Sequence, residues 1–72
     1  MTRRQHMDWA KTRALEYVEK GDLQGAFQSM ASDLQKHEET RGHAGIHLGM
    51  MLLMQGHLDN SLKMREFIEG FN

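Results

Sequence analysis

The segment from Ala44 to Met54, AGIHLGMMLLM, limits the possible folds of this chain more than any other, because His47 is its only polar side chain. A helix that is apolar on every side is either buried in a protein or inserted in a membrane. Spanning a bilayer takes about 20 apolar residues, and this run is much shorter. We therefore expect no membrane association and predict a helix at the centre of a small helical domain.

Two helices are predicted before this segment. Apolar residues at helical spacing indicate a first helix over residues 9–20, with Asp8 as its N-cap and a frayed terminus at residues 1–7. The second helix begins after Asp22 and extends to about His37, with apolar residues along one face. This second helix has the most regular apolar spacing in the chain, so we expect it to supply much of the core.

The third helix is predicted to follow Thr40 as its cap and to end at Gln55, and the fourth to follow Asn60 or Asp59. No stretch alternates apolar and polar residues for long enough to predict a strand. The expected fold is all-α, a single domain over residues 1–72. It consists of four short helices arranged as two consecutive antiparallel helical hairpins around the central apolar third helix.

A faint internal repeat relates the two halves of the chain at an offset of 35 residues. Large, glycine and small residues recur at this offset around the two predicted turns: Tyr17 with Leu52, Gly21 with Gly56, and Ala26 with Ser61. In this respect the sequence resembles a tetratricopeptide-like helical hairpin. The W-x2-L-G signature of that repeat is absent, and convergence of short helix pairs explains the recurrence as well as common ancestry does.

The composition excludes several classes of protein. With no cysteine among 72 residues, the chain has neither a disulfide nor a zinc site built on thiolates. The apolar segment of a signal peptide is missing after the basic start, so we predict a cytoplasmic protein. Nine basic and ten acidic residues give a net charge of −1, which disfavours nucleic-acid binding. Because no catalytic motif is present, we predict a protein that is not an enzyme and has no cofactor.

Two histidines are the candidates for a metal site. His43 and His47 lie four positions apart, so on a helix they share one face. A pair at this spacing can ligate a metal, but the glutamate of the H-E-x-x-H motif is absent. We therefore predict no metal site, and keep a histidine-dependent metal-binding or small-ligand-binding domain as the alternative function.

Two glycines on the third helix predict close approach of a neighbouring helix. Gly45 and Gly49 form a G-x-x-x-G pattern, and small residues at this spacing let helices pack tightly. The first helix, through Ala10 and Ala14, is the expected neighbour within the chain. A second copy of the chain is the other interpretation.

The third helix is also the predicted interaction surface, since so few helices cannot cover it on every side. Methionine lines surfaces that adapt to a partner, so we expect at least part of Met50, Leu53 or Met54 to remain accessible. The open strip should include Met50 and Met54, with Ile68 or Phe71 at its margin. Trp9 is a further contact candidate and is expected to be only partly buried. A core of this size is marginal, and self-association would supplement it.

Several short phrases spread over residues 9–72 resemble short uncharacterised proteins of the kind encoded by bacteriophages and prophages: MASDL at 30–34, GHAGI at 42–46, LGMM at 48–51, GHL at 56–58 and REFIEGF at 65–71. The resemblance implies a bacterial or phage setting and brings no assigned activity. We therefore expect a small phage-type or prophage-type protein that acts by protein–protein interaction, binding or modulating a bacterial or phage protein.

Overall fold

A computed structural model describes residues 2–71 of the chain. Every regular element in that range is a helix, and the helices are α1 (Arg3–Glu19), α2 (Leu23–Gln35), α3 (Ala44–Met54) and α4 (Ser61–Glu69). The prediction of an all-α protein with four helices is confirmed.

The N-terminal segment differs from the prediction, because α1 begins well before Trp9. Thr2 is the N-cap, and its hydroxyl accepts a hydrogen bond from the Gln5 backbone N–H at 3.1 Å. The Gln5 side chain in turn accepts one from the Thr2 backbone N–H at 2.9 Å. This capping box fixes the start of the helix. His6 and Met7 are buried, so residues 2–7 are part of the fold; Met1 lies outside the described residues.

Two helix caps and two glycine turns agree with the prediction from the sequence. Asp22 caps α2 by accepting a hydrogen bond from the Gly25 N–H at 2.8 Å, and Asn60 caps α4 through the Lys63 N–H at 2.8 Å. Gly21 and Gly56 end the preceding turns with φ of 78°, a left-handed conformation that glycine adopts without strain. The predicted caps Asp22 and Asn60 are confirmed.

Thr40 has a different role from the one predicted. Its fully buried hydroxyl donates to the carbonyl oxygen of Leu34 at 2.5 Å, so it closes the end of α2 and does not open α3. The N-cap of α3 is His43, whose Nδ1 accepts from the Gly45 N–H at 2.9 Å. A buried hydroxyl needs such a partner, and the carbonyls at a helix end supply one.

The core is formed by α1, α2 and α4, whose backbones approach one another most closely. The start of α1 meets the end of α2, as the contact between His6 and the Asp33 carbonyl shows, so these helices are antiparallel. Lys11 reaches the Glu69 carbonyl at 3.1 Å, which joins α1 to the end of α4. Side chains from all three helices are almost fully buried: Met7, Ala10, Ala14, Val18, Ala26, Met30, Leu34, Met64 and Ile68.

The arrangement of hairpins around a central third helix is not confirmed, because α3 lies at the edge of the fold. Only Ile46 and Gly49 of α3 are buried, whereas Met51 is 57% and Met54 is 83% exposed. The backbone of α3 approaches the other helices less closely than they approach one another. The physical reason is that α1, α2 and α4 already bury one another's apolar faces, so only one side of α3 finds cover.

Candidate interaction surface

The solvent side of α3 carries four side chains that form one surface. At 3.6 residues per turn, His47, Met50, Met51 and Met54 fall within about 100° of the helix circumference. All four are exposed, Met50 by 52%, Met51 by 57% and Met54 by 83%. We call these four residues the methionine face. A contiguous apolar surface on a small soluble domain commonly marks a contact site.

An apolar groove lies beside the methionine face, between α3 and α4. It has a volume of about 290 Å³, and its walls combine apolar and aromatic side chains with two polar ones: Leu48, Gly45, Phe67, Phe71, Gly70, His43 and Glu66. Leu48 is 53% exposed and connects the groove to the outer side of α3. The groove therefore extends the apolar surface of α3 towards the C-terminal helix.

No charged residue occurs between Ala44 and Met54, so the whole helix offers a partner an uncharged surface. Burying a charged group costs free energy unless it is paired, whereas burying methionine and leucine is favourable. A partner that covers α3 therefore gains apolar burial without having to neutralise a charge on this helix.

The structure separates the predicted interaction residues into two groups. Met50 and Met54 are accessible, as expected, and Leu53 is half-buried against the core. Ile68 and Phe71 were predicted at the margin of the open surface, but they are only 0% and 5% exposed. Ile68 lies on the inner face of α4 and joins the core cluster.

Phe71 is buried because aromatic rings surround it. It packs edge-on against Phe67 with ring centroids 5.0 Å apart, and against the His43 ring at 5.1 Å. Its ring also covers Gly45. Phe71 therefore anchors α3 to the C-terminal end of the fold and also lines the groove.

Gly45 and Gly49 do mark a close approach within the chain, but the partner differs from the one predicted. A Cβ built on Gly45 would lie 2.7 Å from Phe71 Cε2, and one on Gly49 would lie 2.5 Å from Phe27 Cε1 and closer still to Phe67. Phenylalanine rings from α2 and the C-terminal segment, and not the backbone of α1, occupy the space. The G-x-x-x-G pattern here accommodates aromatic side chains.

Trp9 is half-buried, as predicted, and its ring contacts cationic side chains of the same chain. The Arg13 guanidinium lies 4.9 Å and the Lys36 ammonium 5.7 Å from the centroid of its ring. The His6 ring packs against it with centroids 5.4 Å apart. Trp9 thus covers the seam between α1 and α2, and a role in contacting a partner remains a prediction.

The same two cations contact a buried carboxylate, that of Asp33, which was not predicted from the sequence. Asp33 is 1% exposed, and its two oxygens accept hydrogen bonds from Arg13 Nε at 2.7 Å and Lys36 Nζ at 3.2 Å. Polar residues of an amphipathic helix normally face water, but Asp33 does not. Arg13 reaches Asp33 from another helix, 20 positions earlier in the chain, and no local pattern in the sequence indicates such a contact.

The two histidines considered as metal ligands have different positions. His43 is the N-cap of α3 and uses Nδ1 to accept a hydrogen bond, while His47 is exposed on the methionine face. Among residues 2–71, no three histidine, aspartate or glutamate side chains are placed to hold one metal ion together. The structure therefore offers no support for a site built on these two histidines with a carboxylate.

Comparison with known proteins gives no family to which the chain can be assigned. No family model matches it, and neither a curated protein nor a solved structure matches it significantly. Within the part of the chain that the structure describes, no helix has both the length and the apolar composition needed to cross a bilayer.

Proposed function

We propose that this chain is a small protein-interaction module, without catalytic activity of its own, that binds through the outer side of α3. The observation that carries this proposal is the exposure of α3, which combines the most apolar composition of the four helices with large exposed side chains: Leu48, Met50, Met51 and Met54. Leaving such side chains in water forgoes about 1.5–3 kcal/mol for each one that a partner could bury.

We propose a second copy of the chain as the occupant of this surface. Two arguments support this choice. An uncharged apolar face is complementary to itself, and a two-fold axis can pair it with the same face of another copy. A domain of 72 residues also has a marginal core, to which burial of α3 between two copies would add stability.

We further propose that the chain also binds a second kind of partner, a bacterial or phage protein, at the same face. The resemblance of the sequence phrases to short phage and prophage proteins supports this setting. Flexible methionine side chains, which adapt to differently shaped partners, are suited to a surface that accepts both a copy of itself and another protein.

The proposal is tested by light scattering after size exclusion at micromolar concentration. We expect a dimer for the wild type and a monomer for Met50→Glu, because the substitution places a charge in the paired apolar surface. The control is Gln28→Glu, which adds the same charge at an exposed position of α2 and should leave the dimer mass unchanged.

Two results would contradict the proposal of a second copy. One is a stable monomer for the wild type across the concentration range, and the other is a Met50→Glu protein with the mass of the dimer. Circular dichroism of both variants shows whether the helical fold is retained, so that loss of association is distinguished from unfolding.

A further inference from the structure

The methionines of this chain fall into two sharply different environments. Three of the seven are 0–3% exposed in the core: Met7, Met30 and Met64. Three others, Met50, Met51 and Met54, are more than half exposed and lie on one face of α3 with His47. Met1 lies outside the described residues. Every described methionine is therefore either a core residue or part of the methionine face.

The spacing on the methionine face is that of a chelating set. His47 lies three positions from Met50 and four from Met51, and Met54 lies four from Met50 and three from Met51. Residues at these spacings on a helix have Cβ atoms about 5–6 Å apart. Methionine has three rotatable bonds, so neighbouring sulfur atoms and the imidazole can converge on one ion above the helix.

The donor set selects the kind of ion. Thioether sulfur is a soft, uncharged ligand that favours Cu(I), and imidazole also suits copper. Carboxylates, which would favour hard cations, are absent from Ala44 to Met54. Thiolates, which favour zinc, are absent from the whole chain.

The position of these residues along α3 also favours a cation. The helix ends at Met54, and the last turn holds no lysine or arginine. The C-terminal end of a helix carries a partial negative charge from its aligned peptide dipoles. A monovalent cation bound by Met50, Met51 and Met54 would lie close to that charge, with no basic side chain of the last turn to repel it.

We propose that the methionine face is a binding site for a soft monovalent metal ion, Cu(I) or the chemically similar Ag(I), held by His47 and the thioethers of Met50, Met51 and Met54. The site lies on the surface and needs no rearrangement of the core. This proposal does not rest on the proposed function. The same side chains form the proposed interface, so a bound ion and a second copy of the chain compete for them.

The test uses Ag(I) as the probe, because it does not require a reductant. Ag(I) is titrated into the protein in chloride-free buffer. Native mass spectrometry gives the number of ions per chain in monomer and dimer separately, and NMR of labelled methionine methyl groups identifies the ligands. We expect one ion per chain in the monomer, with shifts at Met50, Met51 and Met54 and none at the core residue Met64.

The decisive variant replaces Met50, Met51 and Met54 with leucine. Leucine keeps the apolar surface and the volume but removes the sulfur atoms, so affinity for Ag(I) should fall by at least about tenfold, while self-association stays as in the wild type. Met64→Leu is the matched control and should bind as the wild type does. If the triple variant fails to fold, Met54→Leu alone, at a position 83% exposed, should still weaken binding.

Three results would overturn the proposal. The first is absence of stoichiometric Ag(I) binding by the wild type. The second is unchanged affinity in the leucine variants. The third is equally tight binding of Zn(II), which would show that the site does not select soft ions. A Met50→Glu protein that keeps the dimer mass would contradict the proposed function and leave this proposal standing.

Discussion

The three-helix core of α1, α2 and α4 and the peripheral helix α3 differ in how they bury their apolar side chains. The core helices are amphipathic and bury one face against each other, so their polar residues remain in water. Helix α3 has the most apolar sequence, yet most of its large side chains are exposed. The comparison shows that the apolar composition of a helix does not determine how deeply it is buried. How much of its surface is buried depends on whether the other helices leave an apolar face free to pack against it.

The two regions also use small residues differently. In the core, Ala10 and Ala14 are fully buried on α1 and let the helices approach closely. On α3, Gly45 and Gly49 instead receive the rings of Phe71, Phe67 and Phe27. The small residues on α1 thus allow helix backbones to pack closely, whereas those on α3 allow a few aromatic rings to pack against its backbone. Helix α3 is consequently held by fewer contacts than the core helices.

The largest expected effect comes from removing a core ring. Phe27 is 7% exposed, and Phe27→Ala should lower the free energy of unfolding by about 3–5 kcal/mol through lost burial and a cavity. Met51→Ala on the solvent side of α3 should change it by no more than about 0.5 kcal/mol. Urea unfolding followed by circular dichroism measures both.

This contrast fails if the two variants lose similar stability. Equal losses would mean that Met51 is buried in solution or that Phe27 is not part of the core. The measurement is made at the lowest workable protein concentration, so that association through α3 does not add to the stability of the wild type.

The ion pair of the buried Asp33 with the partly exposed Arg13 and Lys36 is expected to have the next largest effect. Asp33→Asn removes the charge that Arg13 and Lys36 contact, and should cost about 2 kcal/mol, the typical range for hydrogen bonds to a buried charged group. The matched control is the exposed pair Asp59–Lys63, whose atoms lie 3.5 Å apart. Asp59→Asn should cost less than about 1 kcal/mol.

Thermal unfolding of the two asparagine variants provides the comparison. If Asp59→Asn destabilises the protein as much as Asp33→Asn does, the burial of Asp33 does not increase the contribution of its ion pair to stability. Added salt should weaken the exposed pair more than the buried one, because screening acts mainly on charges in water.

A smaller effect is expected where α3 joins the core. Gly49→Ala should destabilise the protein by up to about 2 kcal/mol, because crowding against Phe27 and Phe67 costs about 1–3 kcal/mol and alanine offsets about 1 kcal/mol of this through its higher helix propensity. Shortening the ring that blocks the new methyl group, as in Gly49→Ala with Phe67→Leu, should recover part of the loss. A stabilised Gly49→Ala variant would show that α3 does not pack against these rings.

The elements with local signals were predictable from the sequence. The apolar spacing of α2, the caps Asp22 and Asn60, and the glycine turns depend on residues close together in the chain, and they were predicted correctly. The start of α1 was missed although its signal is local. The capping-box pattern of Thr2 and Gln5 is present in the sequence, but the polar character of the segment suggested fraying.

The features that depend on contacts between distant residues were not predictable. The burial of Asp33 requires Arg13 from another helix, and the burial of Phe71 requires the rings of His43 and Phe67. The central position expected for α3 followed from its composition alone. The composition of α3 shows that its burial would be favourable. It does not show that α4, rather than α3, would pack against α1 and α2 in the core.

Native-state hydrogen exchange at two protein concentrations tests most directly whether α3 is a separate, partner-dependent part of this fold. At low concentration, the amides of α3 should exchange through local opening well before those of α1, α2 and α4, since fewer contacts hold α3. At high concentration, a second copy should protect α3 selectively and leave the core unchanged. Protection of α3 that equals that of α2 and is independent of concentration would contradict this account.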